Sequence, residues 1–234
     1  MTKGELKSDL TAYFVRRPGD FTDTLAEVCL KDVHRQIQRH IEIGGRRLEL
    51  NWQCMETSDG TLSVAADAKV ATLPTDFKAP RRVWTVSTED ASLLLIRAST
   101  DNEIEGFRQT AAEEPGAPII GSDNYLQRWW IEKQQLQFFH VLSDTAATTV
   151  QLDFYKFLPY YASDAANDWF SNNIWDVLRT GAEALAYDSF REYEIAELIR
   201  QKYTALLLHA YDGDRTQKTR KTKVYRPPIA SARV

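Results

Sequence analysis

Only two cysteines occur in 234 residues, Cys29 and Cys54, and neither has a partner at metal-site spacing. Two so sparse read as small buried residues under reducing conditions, although their number alone leaves one disulfide open. Histidine is scarce too, with four in the chain. His34 and His40 lie six residues apart, which misses the three-or-four spacing that sets two ligands on one helix face, and His140 and His209 stand alone. The two on the helix read as exposed. No glycine-rich loop closes in Lys-Ser or Lys-Thr, and neither a dinucleotide fingerprint nor a G-x-S-x-G elbow is present. Asp212-Gly213-Asp214 lacks the further ligands of a calcium loop and reads as a helix stop. The pairs Glu103 with Glu105 and Glu113 with Glu114 sit beside polar turns, whereas acid–base work needs a carboxylate in a shaped, dry pocket. The expectation is therefore no catalytic residue, no cofactor and no metal. Also missing is any run of about 18 apolar residues, so no transmembrane helix is expected. The first ten residues mix Lys3, Glu5, Lys7 and Asp9, unlike a signal peptide.

The composition is that of a folded chain, 43% hydrophobic and 26% charged. Leu6, Leu10, Tyr13 and Phe14 recur at helical spacing from Glu5 to Arg16, with Pro18-Gly19 after them. A second helix starts at Asp20 or Thr22, either of which can cap it. Its stripe runs Leu25, Cys29 or Leu30, Val33, Ile37 and Ile41, to a stop at Gly44-Gly45. From Arg47 to Met55 the period changes to two, a half-buried strand with Ser58-Asp59-Gly60 as its turn. Further strands are expected at 82–87, 92–97, 125–132, 135–141 and 148–158, the third and fourth forming a hairpin about Lys133-Gln134. A short helix fits 101–110 and a loop 113–122. Helix returns near Ala165, capped by Asp168 or Ser171, with Ile174, Val177, Leu178, Gly181 and Leu185 on one side. After a break at Asp188-Ser189, a last helix carries Ile195, Leu198, Ile199, Tyr203 and Leu206 and ends near Gly213.

Neither helix pair can bury its stripe alone, so the two pack together. The expected class is α+β: one helical bundle built from both ends of the chain, with an inserted, mostly antiparallel β-domain and an extended C-terminal tail. The divisions are residues 1–46 and 160–212 for the two halves of the bundle, 47–159 for the insertion and 213–234 for the tail.

Two features point outward. Trp129-Trp130 and Phe138-Phe139 are adjacent aromatics on strands, so one of each pair faces the core and the other faces away. The outer rings either lie under a second layer or form an interface patch. The tail is the stronger signal. From Arg215 to Val234 there are seven Lys or Arg and no acid, so the remaining chain holds 22 basic against 33 acidic residues, a body of −11. The segment is too polar to fold alone. It is open to three readings: a solvated end, a binder of nucleic acid by phosphate neutralisation, or an arm that orders on an acidic protein partner. If it is such an arm, ending the chain at Asp212 is expected to leave the melting temperature almost unchanged while the docking is lost.

Leu73-Pro74-Thr75-Asp76-Phe77 followed by Arg81-Arg82-Val83-Trp84 resembles the "Leu-Pro-x-Asp-Phe … Arg-Arg" segment of head-to-tail adaptor (connector, neck) proteins of tailed bacteriophages. Asn167-Asp168-Trp169 with the aliphatic, alanine-rich helix through Gly181-Ala182-Glu183-Ala184-Leu185-Ala186 is similar to that family's helix entry. The preceding Tyr155–Pro159 and the following helix from Arg191 to Leu208 also fit, so the likeness covers about Leu73 to Leu208. Glu183 and the long, charged 88–121 region depart from the pattern. The resemblance implies a structural virion protein of the neck, assembled in the host cytoplasm. It implies a ring, usually a dodecamer, that docks on the portal protein, meets tail or nozzle proteins and lets DNA pass without specific binding; no membrane is involved. It also implies that the C-terminal segment reaches the portal, which assigns Arg215, Lys218, Arg220, Lys221, Lys223, Tyr225 and Arg226 to that contact. The alternatives are another virion joint (a head-completion or tail-terminator protein), a nucleic-acid-binding protein that uses the tail, and an enzyme.

Overall fold

The computed structural model describes residues 1–15, 21–43, 45–85, 93–94, 96–97, 128–139, 142 and 147–222. The expected helix at 101–110 and loop at 113–122 lie outside them. The chain divides into two compact units, one of Met1–Cys54 with Leu158–Val234 and one of Met55–Phe157. The class is α+β, a helical bundle from both ends of the chain with an inserted, mostly antiparallel β unit.

In the helical unit, α1 (Lys3–Tyr13) opens with a capping box between Thr2 and Glu5 and buries Leu6 and Leu10 completely. Lys3 and Lys7 are drawn below the surface with it. Lys3 Nζ lies 3.1 Å from Glu27 and 3.0 Å from Asp164, and Lys7 Nζ lies 2.8 Å from Asp23. Thr22 caps α2 (Asp23–Gln36) by accepting the Leu25 N–H, and Ala26, Leu30, Val33 and Ile37 form its buried stripe. This helix stops short of the expected end. His40–Ile43 is a strand, β1, paired antiparallel with β2 (Arg46–Glu49), Ile43 opposite Arg46. The chain thus turns back between Ile43 and Arg46, and Gly45 takes the φ of 74° that hairpin turns demand. Paired glycines serve a helix stop and a hairpin turn equally well, which is why the pattern misled. The expected strand through Met55 ends at Glu49. Leu50 and Trp52 nevertheless point inward and are fully buried.

After the β unit, Asp168 caps α3 (Trp169–Asn173), and α4 (Trp175–Ser189) and α5 (Tyr193–Thr222) follow as an antiparallel pair. Helix α4 is central, packed on α1, α2 and α5. A Cβ on Gly181 would lie 2.8 Å from Val33 and 2.9 Å from Tyr203, so three helices meet where only hydrogen fits. The stripe of α5 is rotated from the expected one. Ala196, Tyr203, Leu207 and Tyr211 are buried, whereas Ile195 and Leu198 are exposed. The helix also runs on through Asp212-Gly213-Asp214 to Thr222, so residues 213–222 of the expected extended tail are helical.

The β unit holds two four-stranded sheets among the described residues, in the orders β3-β10-β5-β6 and β4-β9-β8-β7. The strands are β3 (Glu56–Val64), β4 (Val70–Thr72), β5 (Phe77–Thr85), β6 (Leu93–Leu94), β7 (Ile96–Arg97), β8 (Arg128–Glu132), β9 (Gln135–Phe138) and β10 (Thr148–Lys156). All pairings are antiparallel except the two-residue β7–β8 match. Alternate residues of β10, Val150, Leu152 and Phe154, enter a core with Val64, Val83, Leu136 and Trp129. The supposed turn at Ser58-Asp59-Gly60 lies inside β3. Gly60 is there for space: a Cβ would sit 2.6 Å from the Leu152 carbonyl oxygen. Lys133 and Gln134 do form the two-residue turn between β8 and β9, both at positive φ (48° and 61°), without a glycine.

Candidate functional site

The aromatics of β8 and β9 turn inward. Trp129 and Phe138 are opposite one another in register, 2% and 1% exposed, and belong to the core of the β unit. Trp130 points to the other face and is 8% exposed, with its indole N–H buried and lacking a hydrogen-bond partner among the described residues. Phe139 is half-buried. Three of the four expected interface aromatics therefore present little surface in a single chain.

His34 is not exposed as expected but is fully buried. Its Nε2 lies 2.9 Å from Asp168 Oδ2, and its Nδ1 lies 3.0 Å from Gln38 Nε2. The Gln38 amide cannot turn round. Its Oε1 accepts the Leu158 N–H, while its Nε2 donates to the carbonyls of His34 and Leu158. Nδ1 of His34 faces a donor nitrogen with no lone pair to offer and so carries no proton, and Nε2–H donates to Asp168. Asp168 also accepts from the Tyr161 hydroxyl at 2.9 Å and from the Ser171 amide at 2.8 Å. Burial alone pushes this carboxyl towards protonation. The hydrogen bonds from His34, Ser171 and Tyr161 outweigh burial and hold its pKa below the ordinary value. The Ser171 hydroxyl donates to the Asp168 carbonyl and not to His34. The arrangement fastens α2, the Leu158–Tyr161 segment and α3 together, and both ring nitrogens of His34 are taken up by Asp168 and Gln38. Burial pushes the Cys29 thiol up to about 11 and the Cys54 thiol up to about 12, so both are held in the protonated form near neutrality. Among the described residues no group of three His, Cys, Asp or Glu could hold a metal, and no helix is long and apolar enough to cross a membrane.

The C-terminal half of α5 is where the sequence signal and the geometry meet. The Tyr211 hydroxyl donates to the Glu49 carbonyl at 3.1 Å and accepts the Asn51 N–H at 3.2 Å. One turn on, Asp214 Oδ2 accepts the Gln53 N–H at 3.0 Å, and the Gln53 side chain donates to the Asp214 carbonyl at 2.5 Å. Trp52 lies between these bonds. Its ring is 5.2 Å from Tyr211 and 5.7 Å from Phe170, and its indole N–H donates to the Ile37 carbonyl at 2.6 Å. The segment 49–53 thus grips the helix up to Asp214, which is 7% exposed. The spacing Tyr203, Leu207, Tyr211, Asp214 continues one face of a helix and could have revealed this; the glycine at 213 masked it.

Past this grip the cations begin. Arg215 is exposed, its guanidinium 5.8 Å from the Tyr211 ring centre. Lys218, Arg220 and Lys221 lie in the last turns of α5. Lys223, Tyr225 and Arg226 lie outside the described residues. The model of the SU10 adaptor protein family matches residues 1–229. No curated protein matches the chain.

Proposed function

We propose that this chain, which belongs to the SU10 adaptor protein family, is the head-to-tail adaptor of a tailed phage, a structural protein of the virion neck. The observation that carries the reading is the extent of the family match, from residue 1 to residue 229, across the helical bundle and the β unit alike. In this reading the protein works by assembly and not by catalysis. Copies join head to tail in a ring, usually of twelve, through heterologous contacts that close on themselves. The ring docks on the portal, meets tail or nozzle proteins on its other side, and is assembled in the host cytoplasm. An acidic body suits a channel for DNA, since net negative charge repels phosphates and lets the genome slide.

The basic end is the portal contact, with Arg215, Lys218, Arg220, Lys221, Lys223 and Arg226 meeting carboxylates and Tyr225 entering a pocket. Its test requires a different truncation from the one the sequence suggests. Ending the chain at Asp212 removes Asp214 and with it both bonds to Gln53, so stability falls. Ending it after Thr216 spares the grip. Replacing Lys218, Arg220, Lys221, Lys223 and Arg226 by Ala is expected to leave the melting temperature unchanged and to weaken portal docking about a hundredfold, with less effect at high salt. Normal docking by this variant would make the tail a solvated end. DNA affinity that falls steeply with salt and vanishes in the variant would favour the nucleic-acid reading instead.

A further inference from the structure

Two helices of the helical unit carry a line of exposed residues along their outer sides. On α2 the line is Thr24, Val28, Lys31 and Arg35, continued by Arg39 just past the helix end, and all five are exposed. On α5 it is Glu194, Leu198, Gln201 and Ala205, flanked by Ile195, Glu197 and Lys202, again all exposed. Leu198 is 67% exposed and Ile195 42%, and Tyr193 beside them is 64% exposed. Three large apolar side chains in water within six residues of one helix form a patch and not a scatter. The two lines cannot meet within one chain. Each helix turns its opposite side inward, Ala26, Leu30 and Val33 on α2 and Ala196, Tyr203 and Leu207 on α5, to pack with α4.

Their charges are opposite. The α2 line holds Lys31, Arg35 and Arg39 against one acid beside it, Asp32, 3.7 Å from Arg35. The α5 line holds Glu194 and Glu197 against Lys202, with Glu197 lying 2.7 Å from Arg200. Among the described residues Lys31, Arg39 and Glu194 make no ion pair. Either line repels its own duplicate and attracts the other, which rules against a two-fold contact and fits a second copy joined head to tail. The spacings also match when one helix is reversed. Laid antiparallel, Arg35 falls beside Glu194, Lys31 beside Glu197 and Leu198, Val28 beside Gln201 and Thr24 beside Ala205, while Lys202 nears the acidic start of α2 at Asp23.

We propose that the outer line of α2 on one copy packs antiparallel against the outer line of α5 on the next, through Val28, Lys31 and Arg35 on one side and Glu194, Glu197 and Leu198 on the other. The inference rests on the ring reading and names the two surfaces that would close the ring. The test uses the full chain with the portal present. Chains carrying Val28→Cys and Gln201→Cys, mixed under oxidising conditions, give a disulfide-linked dimer that neither chain gives alone. Lys31→Glu with Arg35→Glu, and separately Glu194→Lys with Glu197→Lys, lose only exposed ion pairs and keep the wild-type melting temperature. Each pair weakens ring assembly about tenfold or more, and an equal mixture of the two variants assembles again, because opposite charges then meet at every joint. A linked dimer from Val28→Cys alone, or rings that form normally from both charge variants, overturns this contact and leaves the ring reading intact. Intact rings with lost binding to duplex DNA in the Lys31→Glu, Arg35→Glu chain overturn it too, and assign the α2 line to DNA. A wild-type chain that forms no ring with or without the portal overturns the ring reading and the contact with it.

Discussion

Ile37→Asp unfolds the helical unit or lowers its melting temperature by at least about 10 °C, the largest stability effect expected of a single change in this chain. Ile37 has no solvent exposure, stands directly after the last turn of α2, and its carbonyl accepts the Trp52 indole N–H at 2.6 Å. An aspartate there gives up the burial of a branched aliphatic chain and places a carboxyl at a site closed to solvent. Losing the apolar contacts alone costs about 2–5 kcal/mol, and the stranded polar group adds about 1–3 kcal/mol. Against a total stability on the order of 5–15 kcal/mol, that is a large fraction. Circular dichroism of the full chain reads it. A variant that melts like the wild type would remove Ile37 from the core.

The second large effect is expected from Asp168→Asn. The amide keeps the shape of the carboxylate and one acceptor, so Ser171 or Tyr161 retains a partner. It cannot satisfy His34. An amide N–H turned towards Nε2 forces the histidine proton to Nδ1, which faces the fixed donor Nε2 of Gln38 at 3.0 Å. The loss of hydrogen bonds to a buried charge is expected to cost about 3 kcal/mol. The sign of its pH dependence follows from the depressed pKa of Asp168. A carboxyl whose folded pKa lies below its unfolded value stabilises the fold fully above the unfolded value, near 4, and loses that contribution as pH falls through the folded one. The gap between wild type and Asp168→Asn in urea melts should therefore be widest near neutrality and close below about pH 4. A gap that stayed constant down to pH 2 would show that the charge of Asp168 is not what holds this cluster.

The order helix, helix, β insertion, helix, helix was legible because each stripe has its own period, but the change from 3.6 to 2 at Arg47 falls in a hairpin of the helical unit, and the insertion begins only at Met55. The capping residues Thr22 and Asp168 were among the candidates for the same reason: a short acceptor before an apolar stripe has few other uses. The errors fall on glycine. Gly44-Gly45 and Ser58-Asp59-Gly60 were read as a helix stop and a turn. Gly45 instead stands in a hairpin turn between Ile43 and Arg46, and Gly60 lies in a strand, close against Leu152 and Phe154. Glycine marks unusual backbone or unusual proximity, and sequence does not say which. His34 was misjudged because its partners come from distant positions, Asp168 and the Gln38–Leu158 pair. Burial of that kind depends on which helices meet, a property of the tertiary fold and not of helical spacing. The basic end was legible as charge. Its anchorage at Tyr211 and Asp214 was not, since it depends on a segment, 49–53, more than 150 residues away in the chain.

The claim that joins these observations is that the chain is an adaptor ring seated on a portal. Electron microscopy of the purified protein mixed with the portal of the same phage tests it most directly. The account predicts a closed ring stacked coaxially on the portal, absent when the five cations from Lys218 to Arg226 are replaced by Ala. A tight symmetric dimer that leaves the portal bare would contradict it.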